Sequence, residues 1–170
     1  YLYESFAKTY RGHGTDIALV GGLLDMEPDD ERLADSLKIA HEQNMEVLFV
    51  PLKEKAEHPN SVKLLVSKGD RKLSVTGISI GGGNIQISEL NGFKISLTMG
   101  TPTFIIVHQD VAKVTNLLSE TNINIGTMTV TRESKGEKAI MIIEIDHADI
   151  GDITMKLVQI PHIFSVNYFD

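Results

Sequence analysis

The chain has 170 residues, of which 42% are hydrophobic and 23% charged, the balance of a folded globular protein and not of a disordered or fibrous one. Its formal net charge of −7 comes from 11 basic and 14 acidic groups in residues 1–100, and 5 and 9 in residues 101–170, so neither part is a basic nucleic-acid module. The sequence has no cysteine, which excludes disulfides, thiol nucleophiles and thiolate-held metal clusters within this chain.

In chain order, the opening YLYESF reads as a strand already under way, and the start at Tyr1 without methionine points to residues preceding it. Thr15 or Asp16 is placed to cap a helix running to about residue 24, apolar on most faces and therefore expected to be buried. Its apolar run, 17–24, is too short to cross a membrane. Pro28 is placed to open a second helix reaching about residue 43, with Asp29, Asp30 and Glu31 in its first turn and Leu33, Leu37 and Ala40 as its apolar stripe. Strands are then expected at 46–50 (EVLFV), 62–66 (VKLLV), 73–80 (LSVTGISI), 84–90 (NIQISEL) and 93–98 (FKISLT). The intervening HPN, KGD, GGGN and NG are turn chemistry. This part is therefore an α+β domain, an antiparallel meander backed by two helices.

A boundary near 99–103 divides the chain into domains at 1–100 and 101–170. The second reads strand 103–108, helix 111–121, strand 125–133, strand 138–145, helix 149–160 and strand 163–169, with SKGE at 134–137 as a hairpin turn. That βαββαβ order is the ferredoxin-like split βαβ, one antiparallel sheet with both helices on one face.

Most of the chemically suggestive stretches have plain explanations. ISIGGGNIQI is not a dinucleotide loop, because Gln86 stands where a final glycine belongs and a strand follows instead of a helix. Asp25, Glu27, Asp29, Asp30 and Glu31 are carboxylates at a helix start, where the dipole favours them, and they lack the ligand spacing of a calcium loop. His41, His58, His108, His147 and His162 form no helical i, i+4 pair and read as surface or structural, with His58 in HPN at a tight turn. No metal site is expected.

His13 differs because it lies between Gly12 and Gly14, directly before a helix. Free N–H groups of that helix's first turn would seat a carboxylate or phosphate near Gly12, Gly14, Thr15 and Asp16. The same positive end disfavours imidazolium, so a neutral imidazole beside it could accept a proton. A capped helix start with a satisfied histidine is the alternative, and spacing does not choose between them.

Taken together, the segment 9–32 (TYRGHGTDIALVGGLLDMEPDDER) with EHPNSV, ISIGGGNIQISELNGF and INIGTMTVTRESKGEKAIMIIEID resembles the beta chain of the bacterial two-chain iron–sulfur L-serine dehydratases, over essentially the whole chain. The last third resembles an ACT domain. The resemblance implies conversion of L-serine to pyruvate and ammonia in the cytoplasm. It implies a four-iron cluster held by cysteines of a partner alpha chain, acting on the serine hydroxyl while a base removes the α-proton. It makes His13 the candidate base, with Gly12, Gly14, Thr15 and Asp16 as the substrate seat, and it implies a homodimer through the ACT domain.

The chain departs from the family in two places. The family's Ser-Ser-Ser-His-Thr segment has no counterpart here, and the Pro-Gly that commonly follows the first ACT strand is replaced by HQDVAKV. Effector binding at Asp110, Val111, Asn122, Ile123 and Asn124 is therefore left open. A regulatory module like that of type-I phosphoglycerate dehydrogenases, and a purely structural ACT dimerisation protein, are the alternatives.

Overall fold

The computed structural model describes residues 1–98, 100–109, 111–132, 137–146 and 149–170. They pack into two compact units, Tyr1–Gly83 and Asn84–Asp170.

The first unit is held at its start by backbone bonds. Leu2 bridges Pro51 in parallel and Val62 antiparallel, donating to the Val50 carbonyl at 3.0 Å and accepting from Leu52 N–H at 2.8 Å. The opening is thus a short extended stretch that includes Tyr3 at φ −109 and ψ 152, and α1 (Glu4–Thr9) begins where a continuing strand was expected. After a turn come α2 (Thr15–Leu23), a 3₁₀ segment Glu31–Asp35, α3 (Ser36–Glu42), β1 (Ser61–Lys68) and β2 (Arg71–Gly81).

The expected single helix from Pro28 to residue 43 is therefore two pieces. Asp30 causes the break: its carboxylate accepts from Arg32 N–H at 2.8 Å and from the Arg32 guanidinium at 2.9 and 2.5 Å. That cap starts a tight turn, and a side chain competing for nearby N–H groups is a general way to interrupt a helix. Leu37 is exposed and does not join Leu33 and Ala40 in a buried stripe.

The expected strand 46–50 is absent as well. Among the described residues its backbone neighbour is the short stretch at Leu2, too brief for a ladder, and Leu48 stays 80% exposed. Nor is α2 buried all round: Val20 and Gly21 are buried while Ala18, Gly22 and Leu23 are exposed. On its covered side a Cβ at Gly21 would stand 2.2 Å from Leu33 Cδ1, and the buried Ser36 hydroxyl donates to the Ile17 carbonyl at 2.9 Å. Small residues set how closely α2 meets the 3₁₀ segment and α3.

In the second unit, β3 (Asn84–Leu90) and β4 (Phe93–Thr98) form a hairpin, followed by β5 (Thr103–His108), α4 (Val111–Glu120), β6 (Ile125–Arg132), β7 (Ala139–Ile145), α5 (Ile153–Val158) and β8 (Ile163–Phe169). Within the first unit β1 pairs antiparallel with β2; within the second β3 pairs antiparallel with β4, and a four-stranded sheet has the order β6-β7-β5-β8. In the latter, β5 pairs antiparallel with both β7 and β8, and β6 pairs with β7. This is the ferredoxin-like arrangement read from the sequence. The NG turn between β3 and β4 also forms, with Asn91 at φ 49 and Gly92 at φ 91, the left-handed pair a two-residue hairpin needs. Helix α5 is shorter than the expected 149–160, since Gly151 at φ 50 precedes it. The SKGE turn falls largely on 134–136, and His147 at 147, outside the described residues.

Both faces of β5 and β7 are covered. On one, Phe104, Ile106, Met141, Ile143 and Ile145 cluster with Val114 and Leu118 of α4 and Ile153 and Leu157 of α5. On the other, Ile105, Ile140 and Ile142 cluster with Phe93, Ile95 and Leu97 of β4. The helices lie on one face as expected, but the opposite face is filled by the preceding hairpin. The connection at 99–103 lies between β4 and β5, inside this unit.

Candidate active site

The turn between α1 and α2 carries His13. It is tied to α1 by His13 N–H donating to the Thr9 carbonyl at 3.0 Å, and to itself by Gly14 N–H donating to Arg11 at 3.4 Å. Thr15 N–H donates to the Tyr10 carbonyl at 2.8 Å. Beneath the turn, the buried Tyr10 ring stacks on Phe49 with centroids 5.6 Å apart, and the Arg11 guanidinium lies 5.5 Å from the Tyr10 centroid. The backbone is thereby fixed while the His13 side chain is exposed to solvent.

The two glycines serve different purposes. Gly14 has φ 68 and is the N-cap of α2, a left-handed position that an L side chain adopts at a cost. Gly12 has no such angle, and a Cβ there would lie 3.7 Å from the Thr9 carbonyl oxygen, an ordinary contact. Gly14 is required by geometry, whereas Gly12 mainly keeps bulk away from His13.

The helix start differs from the expectation. Neither Thr15 nor Asp16 caps α2; Gly14 occupies that position without a side-chain bond. Of the first-turn donors, Thr15 N–H is taken by Tyr10, Ile17 N–H by Asp16 Oδ1 at 3.0 Å, and Ala18 N–H by the Gly14 carbonyl at 2.9 Å. The bare helix end imagined as an anion seat is thus largely filled by the protein. Asp16 is buried and Thr15 half-buried, so of the residues singled out, His13 and Gly12 are the ones fully presented to solvent.

His58 is a turn residue with a defined tautomer. Its Nδ1 accepts from Asn60 N–H at 3.2 Å and its carbonyl accepts from the Ser61 hydroxyl at 2.6 Å, which leaves the neutral ring's proton on Nε2. The HPN turn is pinned to the start of α1 by Ser5 N–H to the Pro59 carbonyl at 3.0 Å and Ala56 N–H to Glu4 Oε1 at 3.1 Å. Elsewhere, His108 is fully buried at the end of β5, while His41 and His162 are exposed.

In the second unit Asp110 lies outside the described residues. Val111 packs against the helix-side core and Ile123 is part of it, so Ile123 could offer a ligand only its backbone. Asn122 is exposed at φ 55, and Asn124 is also exposed, its amide donating to the Asp146 carboxylate. The residues that reading the sequence missed are those that hold α1 and α2 to their neighbours, namely Glu4, Gly21 and Ser36. The one available signal was the small-residue spacing along α2 and α3.

Among the described residues, no three or more His, Asp or Glu side chains are grouped to hold a metal ion, and the chain has no cysteine. Among the described residues none supplies the thiolate ligands by which iron–sulfur clusters are held. Among those residues, too, no helix is long and apolar enough to cross a membrane. The class is therefore a two-unit α+β chain, ferredoxin-like in its second unit, presenting one histidine on a rigid glycine-flanked turn.

No family model matches the chain. It is 42% identical over 169 residues to the probable L-serine dehydratase beta chain of Bacillus subtilis (strain 168), covering 97% of this chain and 77% of that protein. It is 34% identical over 152 residues to the L-serine dehydratase beta chain of Peptoniphilus asaccharolyticus, covering 85% and 68%. A D-3-phosphoglycerate dehydrogenase of Bacillus subtilis (strain 168) is 34% identical over 118 residues, covering 66% of this chain but 22% of that protein. The chain belongs to the L-serine dehydratase beta-chain family.

Proposed function

We propose that this chain acts with a separate alpha chain to convert L-serine to pyruvate and ammonia, and that His13 is the base that takes the α-proton. Its carrying observation is the exposure of His13 on a fixed turn, in a chain whose relatives are named as beta chains of this enzyme. Imidazole is the side chain best matched to proton transfer near neutral pH. With the α-proton on His13 the β-carbon–oxygen bond breaks; the leaving hydroxide takes a proton from the imidazolium, so that water departs, His13 is neutral again and aminoacrylate remains. Its imine form adds water and releases ammonia, giving pyruvate without further help from the protein.

In this reading a four-iron cluster is held by cysteines of the alpha chain, which accords with a sequence here that has no cysteine. Gly12 keeps the approach to His13 open, and serine would rest against the turn at Gly14 and Thr15, with the buried Asp16 supporting it from behind. In this reading residues 1–100 are the dehydratase beta-chain domain and residues 101–170 an ACT domain serving self-association and regulation. Cytoplasmic location and a homodimer belong to the same reading.

Mixing the chain with its alpha chain under anaerobic conditions and following pyruvate from serine tests the assignment. The pair is expected to turn over while this chain alone does not. A folded pair with an intact cluster and no activity would defeat it. The partial likeness to phosphoglycerate dehydrogenase supports a second reading, a non-catalytic amino-acid sensor. That reading predicts tight serine binding by the isolated chain in calorimetry, whereas the half-site predicts none.

A further inference from the structure

The hairpin of β3 and β4 follows the GHG-containing region in sequence, yet its apolar side is part of the second unit's core. Burial along β4 alternates strictly. Phe93, Ile95 and Leu97 are buried, while Lys94, Ser96 and Thr98 are exposed. On the solvent side Gln86 donates to the Ser96 hydroxyl at 2.8 Å. The buried side, together with Ile87 and Leu90, clusters with Ile105 and Val107 of β5 and Ile140 and Ile142 of β7.

A ferredoxin-like sheet with helices on one face has a second face that must meet either solvent or another layer. Here β5 reads TFIIVH and β7 AIMIIEI, apolar on both faces, so that second face could not be left in water. The hairpin supplies the missing layer from within the same chain. At the tip, Asn91 and Gly92 set the turn, and register slips between Ile87 and Glu89, a bulge that increases local twist.

We propose that residues 84–98 are a built-in strap on the ferredoxin-like unit: they fold and open with β5 and β7, not with the GHG-containing unit they follow in sequence. Two consequences follow. The helix-free face of β5 and β7 is closed to a second copy. The junction between cooperative units is the glycine turn at 81–83, where Gly81, Gly82 and Gly83 all have positive φ.

Native-state hydrogen exchange on the full chain at increasing urea tests this, because amides that open together converge on one exchange isotherm. Peptides from 84–98 are expected to merge with those from 103–108 and 139–145 and to stay apart from those of 61–81. In Leu97→Ala, exchange in all three stretches should accelerate together, by about 100-fold for a buried leucine truncated to alanine. Leu65→Ala, at an exposed position on β1, should leave them unchanged. The proposal is overturned if 84–98 merges with 61–81 in the wild-type chain, which needs no variant to fold. It is equally overturned if Leu97→Ala accelerates 84–98 alone.

Discussion

The two units bury apolar surface very differently. The second encloses Phe104, Ile106, Met141, Ile143 and Leu157 with essentially no exposure on one face and seals the other with a hairpin. The first has a core of Leu2, Tyr10 and Val62 with partly buried neighbours, while Leu48, Leu65, Leu73 and Ile80 remain exposed. What compensates in the first unit is directed bonding: Leu2 to residues 50 and 52, Tyr3 to Ser61, Ser5 to Pro59, Ser36 to Ile17. A dry core is insensitive to the loss of any one polar group. A bonded scaffold holds a turn rigidly but depends on each small residue that lets its parts approach.

That contrast can be broken by substitution. Phe104→Ala in the second unit should cost about 3–5 kcal/mol, and chemical denaturation would show it; a loss below about 1 kcal/mol would mean the core is looser than its burial implies. Gly21→Ala should cost about 1–3 kcal/mol by overpacking against Leu33. Pairing it with Leu33→Ala should recover part of that loss, and strict additivity in the double-mutant cycle would remove the contact as its cause.

Gly14→Ala should cost about 1–2 kcal/mol through its left-handed backbone, whereas Gly12→Ala should change stability by less than about 0.5 kcal/mol. Equal costs would erase the distinction drawn between the two glycines. The smallest effect is at Asp30, whose carboxyl is lowered to about 2 by hydrogen bonds from Arg32. A folded-state pKa below the unfolded value gives stability that is present above about pH 4 and lost as pH falls through 2. Asp30→Asn should flatten that part of the stability–pH curve, and an unchanged slope would show that the cap contributes nothing.

Much of the second unit was legible in sequence because its elements satisfy themselves locally. Alternation in FKISLT, the NG turn and the strand–helix order all appear where the residues indicate. The first unit was less legible because distant partners decide it. EVLFV has strand composition but meets only a stretch at Leu2 too short for a ladder among the described residues, and Asp30 diverts the expected helix into a 3₁₀ turn by binding Arg32. The helix after His13 looked buried from its apolar residues, yet neighbours cover only part of it. His13 itself could be singled out from its glycines. The filling of the helix end by Tyr10 and Asp16 could not, since both bonds depend on the fold of the turn. The apolar runs of β5 and β7 did carry a readable signal that both faces are covered, but not that the hairpin does the covering.

The central claim is that the proton acceptor for serine comes from this chain. Its most direct measurement is pyruvate formation by His13→Ala combined with the alpha chain, alongside thermal unfolding of the variant. A fall of about 10²–10⁴-fold with unchanged unfolding, partly restored by added imidazole, is the predicted result. Wild-type turnover by the folded variant would contradict it.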